Sequence, residues 1–107
     1  MDESAFETLA DRTLADLQTR IEDALEDADV DLRGGILTVE LDDGRQYVIN
    51  KHMPNRQIWL SSPISGAAHF THDPASGKWR STRGAEVLHE VLAAEFATIA
   101  GHSVAFD

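Results

Sequence analysis

The stretch YVINKHMPNRQIWLSSP, residues 47–63, predicts an antiparallel hairpin. Its first half indicates a strand over residues 46–51, and its second half indicates a strand over residues 57–61. Pro54 and Asn55 lie between the two strands. They suit a turn because proline fixes φ and asparagine tolerates unusual backbone angles. The proline after the second strand has no N–H to donate and ends that strand. We therefore expect two paired strands in the middle of the chain.

One face of this hairpin carries an indole among polar side chains. Successive side chains of a strand point to opposite faces, so an inward Ile58 and an inward Leu60 direct Trp59 outward. An exposed tryptophan between amides and hydroxyls is typical of a binding surface. The alternative is that another part of the chain covers this ring. The side chains predicted on the outward face are Asn50, Gln57, Trp59 and Ser61.

An amphipathic segment near the start of the chain predicts a helix over residues 4–27. Ser4 and Glu7 form a capping box at its beginning. We expect one stripe of this helix to pack against the sheet, because its small and apolar side chains recur at about 100° per residue. The stripe consists of Phe6, Leu9, Ala10, Thr13, Leu17, Ile21, Ala24 and Ala28.

The remaining pattern predicts a second helix and a sheet. The helix starts near Gly84, is capped by Ser81 or Thr82, and ends at Gly101. Short strands joined by tight turns favour an antiparallel meander of about five or six strands. We predict a single α+β domain over residues 1–107, a two-layer sandwich in which both helices cover one sheet face. The predicted strands are residues 28–32, 36–41, 46–51, 57–61, 67–71 and 78–80.

Seven carboxylates and one base, Arg20, occur between residues 16 and 31. In the predicted helix, Glu22 with Glu26 and Asp23 with Asp27 are like-charge pairs, a conflict that proteins tolerate mostly at functional sites. Clustered carboxylates are hard oxygen ligands that suit iron, manganese, calcium or magnesium better than zinc. The same pattern fits a solvated acidic face or a docking surface for a basic partner. The candidate metal ligands are Asp16, Glu22, Asp23, Glu26, Asp27, Asp29 and Asp31.

The composition narrows the classes of function. A formal net charge of −10 argues against nucleic-acid binding, which depends on lysine and arginine. The absence of cysteine excludes disulfides, a thiolate nucleophile and cysteine-ligated zinc or iron–sulfur sites. No apolar run approaches the roughly 20 residues that span a membrane. The acidic start resembles neither a secretory signal nor a transit peptide, so we expect a cytosolic protein or an already processed organellar one.

Catalytic side chains are not expected in this sequence. No Ser-His-Asp grouping or phosphate-binding glycine loop is present. The histidines are scattered, and we predict that each is an ordinary surface residue. They are His52, His69, His72, His89 and His102.

The hairpin stretch resembles the characteristic sheet segment of the frataxin family, and the resemblance extends over nearly the whole chain. It includes LAD at residues 9–11, GILTV at residues 35–39 and LHEVL at residues 88–92. The resemblance implies the frataxin fold and an acidic surface on the first helix and first strand that binds iron weakly. This chain departs from the family at Thr19, where a further acid is common. The implied iron ligands are Asp16, Glu22, Asp23, Asp27 and Asp29, with Glu26 and Asp31 nearby.

The resemblance implies a second surface on the outward face of the sheet. In the family this face contacts the cysteine desulfurase–scaffold complex that builds iron–sulfur clusters. It corresponds here to Asn50, Gln57 and Trp59, and Ser61 lies on the same predicted face. Eukaryotic frataxins have an arginine where this sequence has His69, and we expect that substitution to make the contact weaker or dependent on pH.

The resemblance therefore favours a non-catalytic protein that binds Fe²⁺ or Fe³⁺ weakly at exposed carboxylates and donates iron to cluster assembly or regulates it. We expect a monomer, with iron-driven oligomerisation left open, and no membrane partner. A ferroxidase or iron-storage protein is one alternative, although the sequence has no paired Glu-x-x-His motif for a buried di-iron site. A purely electrostatic docking protein with incidental metal binding is the other.

Overall fold

Two helices and a six-stranded sheet form the computed structural model, which describes residues 1–106. Each strand pairs antiparallel with the next one along the chain. The predicted α+β sandwich with a meander sheet is confirmed. Asp107, the last residue of the predicted 1–107 domain, lies outside the described residues. The elements are α1 (Glu3–Ala24), β1 (Asp29–Arg33), β2 (Ile36–Glu40), β3 (Gln46–His52), β4 (Gln57–Ser62), β5 (Gly66–Asp73), β6 (Lys78–Ser81) and α2 (Leu88–Ala100).

The first helix starts one residue earlier than predicted. Asp2 is its N-cap, and Oδ1 of this residue accepts a hydrogen bond of 2.7 Å from the N–H of Ala5. The predicted capping box of Ser4 and Glu7 is therefore wrong, because an aspartate two positions earlier already caps the helix and suits its positive end. The predicted apolar stripe omitted Leu14. The buried residues of α1 are Phe6, Ala10, Leu14, Leu17 and Ile21.

The end of α1 also differs from the prediction. The helix stops at Ala24, and Leu25 leaves helical geometry with φ −125° while its side chain is buried. Burial of this leucine turns the chain towards the sheet, so Glu26 and Asp27 lie in a turn. The predicted like-charge pairs are Glu22 with Glu26 and Asp23 with Asp27. That prediction is wrong, because the second residue of each pair lies outside the helix.

The core lies between the helices and one face of the sheet. The inward side chains of the sheet are buried: Leu37, Val39, Tyr47, Ile49, Ile58, Leu60, Phe70 and Trp79. Helix α1 packs against β1, β2 and β3, and α2 packs against β6. Trp79 joins the layers because its ring contacts Phe6 edge-on and its indole N–H donates to Oγ1 of Thr13 at 3.1 Å. Neither helix of residues 1–106 covers the opposite sheet face.

The second helix begins at Leu88, later than the predicted start near Gly84. Val87 precedes it in extended geometry and bridges to Arg80 on β6, so the backbone before the helix extends the sheet. The predicted caps at Ser81 or Thr82 are wrong for the same reason. Gly101 ends α2 as predicted, with φ 76° in the left-handed region that favours glycine. Of the helices in residues 1–106, neither is long and apolar enough to cross a membrane.

Candidate functional site

The predicted acidic residues are all exposed, and we call this set the acidic ridge. It begins on α1, crosses the turn after the helix and continues on β1. Strand β1 lies at the edge of the sheet. Its Val30 and Leu32 are half-buried against the core, whereas its two aspartates are exposed. The ridge consists of Asp16, Glu22, Asp23, Glu26, Asp27, Asp29 and Asp31, all exposed.

The sheet adds one acid to the ridge that the sequence reasoning missed. Glu40 on β2 is paired directly with Asp29 on β1, and side chains of directly paired residues share a face. The sequence contains the information that places Glu40 beside Asp29. Gly34 and Gly35 form a two-residue turn, with φ values of 57° and 78°, and counting back from that turn pairs residue 29 with residue 40.

Most carboxylates of the ridge have no cationic partner. Asp16 is paired with Arg20 at 2.8 Å, and Asp31 is paired with Arg33 at 3.2 Å. Within residues 1–106, no ion pair is formed by the other members, Glu22, Asp23, Glu26, Asp27 and Asp29. The ridge therefore combines high negative charge with exposed oxygen atoms that are free to bind a cation.

Three of these carboxylates surround a surface cavity of about 390 Å³ at the end of α1. Asp23, Glu26 and Asp27 line it together with Asp42 and His102, which the sequence reasoning did not single out. Its apolar lining comes from the ends of both helices and from the end of β2. The turn after α1 creates this arrangement, because it carries two acids back beside the last turn of the helix.

The donor atoms of the ridge fit a hard cation that is held weakly. Carboxylate oxygen atoms suit iron, calcium or magnesium. However, in the part of the chain that the structure describes, no three histidine, aspartate or glutamate side chains are arranged to hold one metal ion together. Any ion at the ridge would be carried as an exchangeable cargo. The prediction of weak, exposed sites stays a prediction.

His89 lies beside the helical part of the ridge. Its Nε2 atom on α2 is 4.0 Å from Oδ2 of Asp16 on α1. Burial lowers the pKa of His89, while the carboxylate of Asp16 opposes that shift. The prediction that His89 is an ordinary surface residue is wrong, because only 24% of its side chain is exposed.

Trp59 lies on the outward face of β4, opposite the buried Ile58 and Leu60, as the alternation predicted. Its indole ring is stacked between two imidazoles. The centroid of His52 is 3.7 Å from that of the indole at an interplanar angle of 9°, and the centroid of His69 is 4.2 Å away at 11°. The predicted bare indole is therefore covered on both ring faces. These two histidines lie on the surface, as predicted, and their stacking on the indole is a contact that the sequence does not predict.

The other predicted partner-binding residues gather around this stack. Asn50 on β3 and His69 on β5 are the direct cross-strand neighbours of Trp59. Gln57 Oε1 accepts the indole N–H at 2.9 Å. Ser61 lies two residues further along β4 and is exposed. The structure thus brings all five predicted residues onto one patch, and it adds His52, which the sequence reasoning missed.

The fold and these two surfaces define the class of protein. It is a two-layer α+β sandwich with an acidic ridge and with a tryptophan on the sheet face that neither helix of residues 1–106 covers. A family model described as the frataxin-like domain matches residues 1–102. The iron-sulfur cluster assembly protein CyaY of Pseudomonas fluorescens is 35% identical over 105 residues, which cover 98% of this chain and 94% of that protein. The mitochondrial frataxin homolog of Schizosaccharomyces pombe is 41% identical over 85% of this chain and 61% of its own length. The chain belongs to the frataxin family.

Solved structures of this family have the same fold. Frataxin from Psychromonas ingrahamii superposes with a TM-score of 0.87 and 28% identity, covering all of this chain and 99% of that one. Trimeric frataxin from Saccharomyces cerevisiae in complex with ferrous iron superposes with a TM-score of 0.70 and 36% identity, covering 94% of this chain and 88% of that one.

Proposed function

We propose that this chain is an iron-binding protein that serves iron–sulfur cluster assembly. It docks on the cysteine desulfurase–scaffold complex, and there it donates iron or regulates the complex. The observation that carries the proposal is the adjacency of two surfaces, an acidic ridge with exposed carboxylates and an uncharged sheet face centred on Trp59. Its relatives from Pseudomonas fluorescens and Pseudomonas aeruginosa are iron–sulfur cluster assembly proteins, which supports the same assignment.

The acidic ridge is the proposed iron surface. Five of its seven carboxylates have no ion-pair partner in residues 1–106, and the net charge of −10 attracts cations to the whole protein. Exposed carboxylates stay hydrated and release an ion readily. Weak binding suits a protein that passes iron on as a cargo.

The sheet face around Trp59 is the proposed docking surface. Tryptophan is enriched among the residues that dominate binding energy. Here the ring is held in place before binding, so docking does not have to order it. The half-exposed ring and its amide and hydroxyl neighbours form a surface that no helix of the described chain covers.

The two surfaces are close enough to act on one partner. Asp31 on β1 pairs with Thr38, Thr38 pairs with Val48, and Val48 pairs with Ser61 on the Trp59 face. That row spans three strand spacings, or about 14 Å. A partner that covers Trp59 therefore lies next to any ion held at the edge strand, and basic groups on the partner would meet the ridge.

Substitution of the indole tests the docking part of the proposal. We expect Trp59→Ala to weaken binding to the purified desulfurase–scaffold complex at least about tenfold, as a hot-spot tryptophan does, and to leave Fe²⁺ affinity unchanged. Calorimetric titration measures both. Ile64→Ala is the control, because Ile64 is an exposed apolar residue outside the Trp59 patch. Equal binding by the two variants would contradict the proposed docking surface.

The salt dependence of binding separates iron delivery from docking alone. If the iron-free protein binds the complex through the ridge, its affinity should fall steeply with ionic strength. In that case the ridge acts as an electrostatic docking surface, and iron binding is incidental if Fe²⁺ bound to the protein reaches the scaffold no faster than free Fe²⁺ does. If iron delivery is the role, Fe²⁺ bound to the protein should transfer to the scaffold faster than free Fe²⁺ binds it.

A further inference from the structure

The indole of Trp59 is held in place by stacking on both sides. The rings of His52 and His69 lie nearly parallel to it, with interplanar angles of 9° and 11°. The Nδ1 atom of His52 is buried and has no hydrogen-bond partner among residues 1–106. A hydrogen bond at that atom therefore does not set the orientation of the His52 ring, which lies parallel to the indole at a centroid distance of 3.7 Å.

In this arrangement, the groups through which a tryptophan usually contacts a partner are already occupied by other side chains of the protein. Both π faces are covered by imidazoles, so an arginine or lysine of a partner cannot lie over the ring. The indole N–H is already donated to Gln57 at 2.9 Å. What remains for a partner is the carbon edge of the indole between two imidazole edges. Ring edges of this kind pack against apolar groups.

The surroundings of the stack carry no formal charge when the histidines are neutral. The outward side chains of β2 to β5 around it are Ile36, Thr38, Val48, Asn50, Gln57, Ser61, Ala67 and Thr71. Charged groups begin only at the borders of this patch. Asp31, Arg33 and Glu40 lie on the side of the ridge, where Arg33 is paired with Asp31 at 3.2 Å, and Arg80 lies on the other side, paired with Asp73 at 3.0 Å. A complementary partner has an apolar centre and basic groups towards the ridge.

We propose that His52 and His69 are positioning residues that hold Trp59 edge-on, so that this surface selects an apolar side chain of its partner and not a stacked arginine or lysine. The inference rests on the proposed docking function and assigns the chemistry of the contact.

Paired substitutions test the stacking role. His52→Ala and His69→Ala each open one face of the indole, whereas His52→Phe and His69→Phe keep an aromatic ring there and remove the nitrogens. With the purified desulfurase–scaffold complex, we expect each alanine variant to bind about tenfold more weakly. Each phenylalanine variant should bind within about twofold of the unsubstituted protein.

An NMR measurement tests the stack without the partner. The imidazole C–H resonances of His52 and His69 should be shifted upfield by the indole ring current, and Trp59→Leu should abolish that shift. The backbone amide spectrum of each variant establishes that the remainder of the protein is folded. Imidazole resonances without an upfield shift would overturn the inference.

The outcomes separate the inference from the proposed function. If Trp59→Ala loses binding while both histidine-to-alanine variants bind normally, the docking surface stands and the positioning role is overturned. If the phenylalanine variants fail to restore binding, the imidazole nitrogens act directly on the partner, and stacking on the indole is not the reason that binding requires the two histidines. If Trp59→Ala binds normally, the proposed docking function and this inference both fail.

Discussion

The phenol oxygen of Tyr47 on β3 donates a hydrogen bond of 2.7 Å to Oε1 of Glu95 on α2, and this contact joins the sheet to the second helix. The same carboxylate accepts hydrogen bonds from Ser62 at 2.6 Å and from Ser65 at 2.7 Å. Ser62 also accepts two backbone N–H groups of the loop after β4. One glutamate thus fixes a helix, a central strand and the loop that ends the Trp59 strand.

Removal of this carboxylate should destabilise the protein strongly. Glu95→Ala leaves the hydroxyls of Tyr47 and Ser62 buried without their acceptor, and each such group costs about 1–3 kcal/mol. We expect the free energy of unfolding in urea to fall by about 2–4 kcal/mol. Glu90→Ala is the control on the same helix, since Glu90 is exposed and forms only a surface ion pair with Lys78 at 3.6 Å. Equal stability of the two variants would contradict the role of the network.

The single tyrosine gives a pH test of the same contact. Burial, followed by the hydrogen bond to Glu95, raises the pKa of Tyr47 above its ordinary value of 10.0. The folded state thus favours the neutral phenol. This contribution to stability is complete below pH 10 and is lost as the pH rises above it, where the unfolded phenol ionises.

We therefore expect the phenolate absorbance of Tyr47 to appear together with alkaline unfolding, and Glu95→Gln to lower the pH at which it appears. Absorbance at 295 nm and far-ultraviolet circular dichroism measure the two events on one sample. Reversible ionisation near pH 10 in a protein that remains folded would show that the phenol is not held as described.

Lys51 fixes the first helix to the sheet. Its Nζ atom lies 2.8 Å from Asp11 and 3.2 Å from Glu7, and its side chain is only 16% exposed. We expect Lys51→Met to lower the free energy of unfolding by about 1 kcal/mol, because the two acids are half-exposed and remain hydrated after the change. Lys78→Met is the matched control, since Lys78 is 53% exposed in its ion pair. If both variants are equally stable, the contact with α1 has no measurable stabilising effect.

The sequence predicts the sheet better than the ends of the helices. Alternation in β4 places Ile58 and Leu60 inward and Trp59 outward, because the period of a strand leaves no other choice once one face is buried. The end of α1 could not be found in this way. The run of acids continues past Ala24, and the burial of Leu25 decides where the helix stops.

The sequence predicts which residues form the candidate site, but it does not predict how their side chains contact one another. Composition alone identifies the ridge, since seven acids in sixteen residues must lie on the surface of a small protein. The stack on Trp59 depends on cross-strand register and on the rotamers of His52 and His69. The register follows from the pairing of β4 with its two neighbours, β3 and β5, and the rotamers follow from side-chain packing, so histidines spaced along the sequence give no local signal of the contact.

The most direct test of the central claim is an anaerobic Fe²⁺ titration of ¹⁵N-labelled protein, with Ca²⁺ as the competing cation. We expect paramagnetic broadening confined to residues 16–31 and Glu40 at low iron, and we expect this broadening to survive an excess of Ca²⁺. Resonances of the Trp59 patch should stay sharp at that stage. Broadening that Ca²⁺ abolishes, or that spreads over all exposed acids, would contradict a specific iron surface and leave the ridge as a charged face alone.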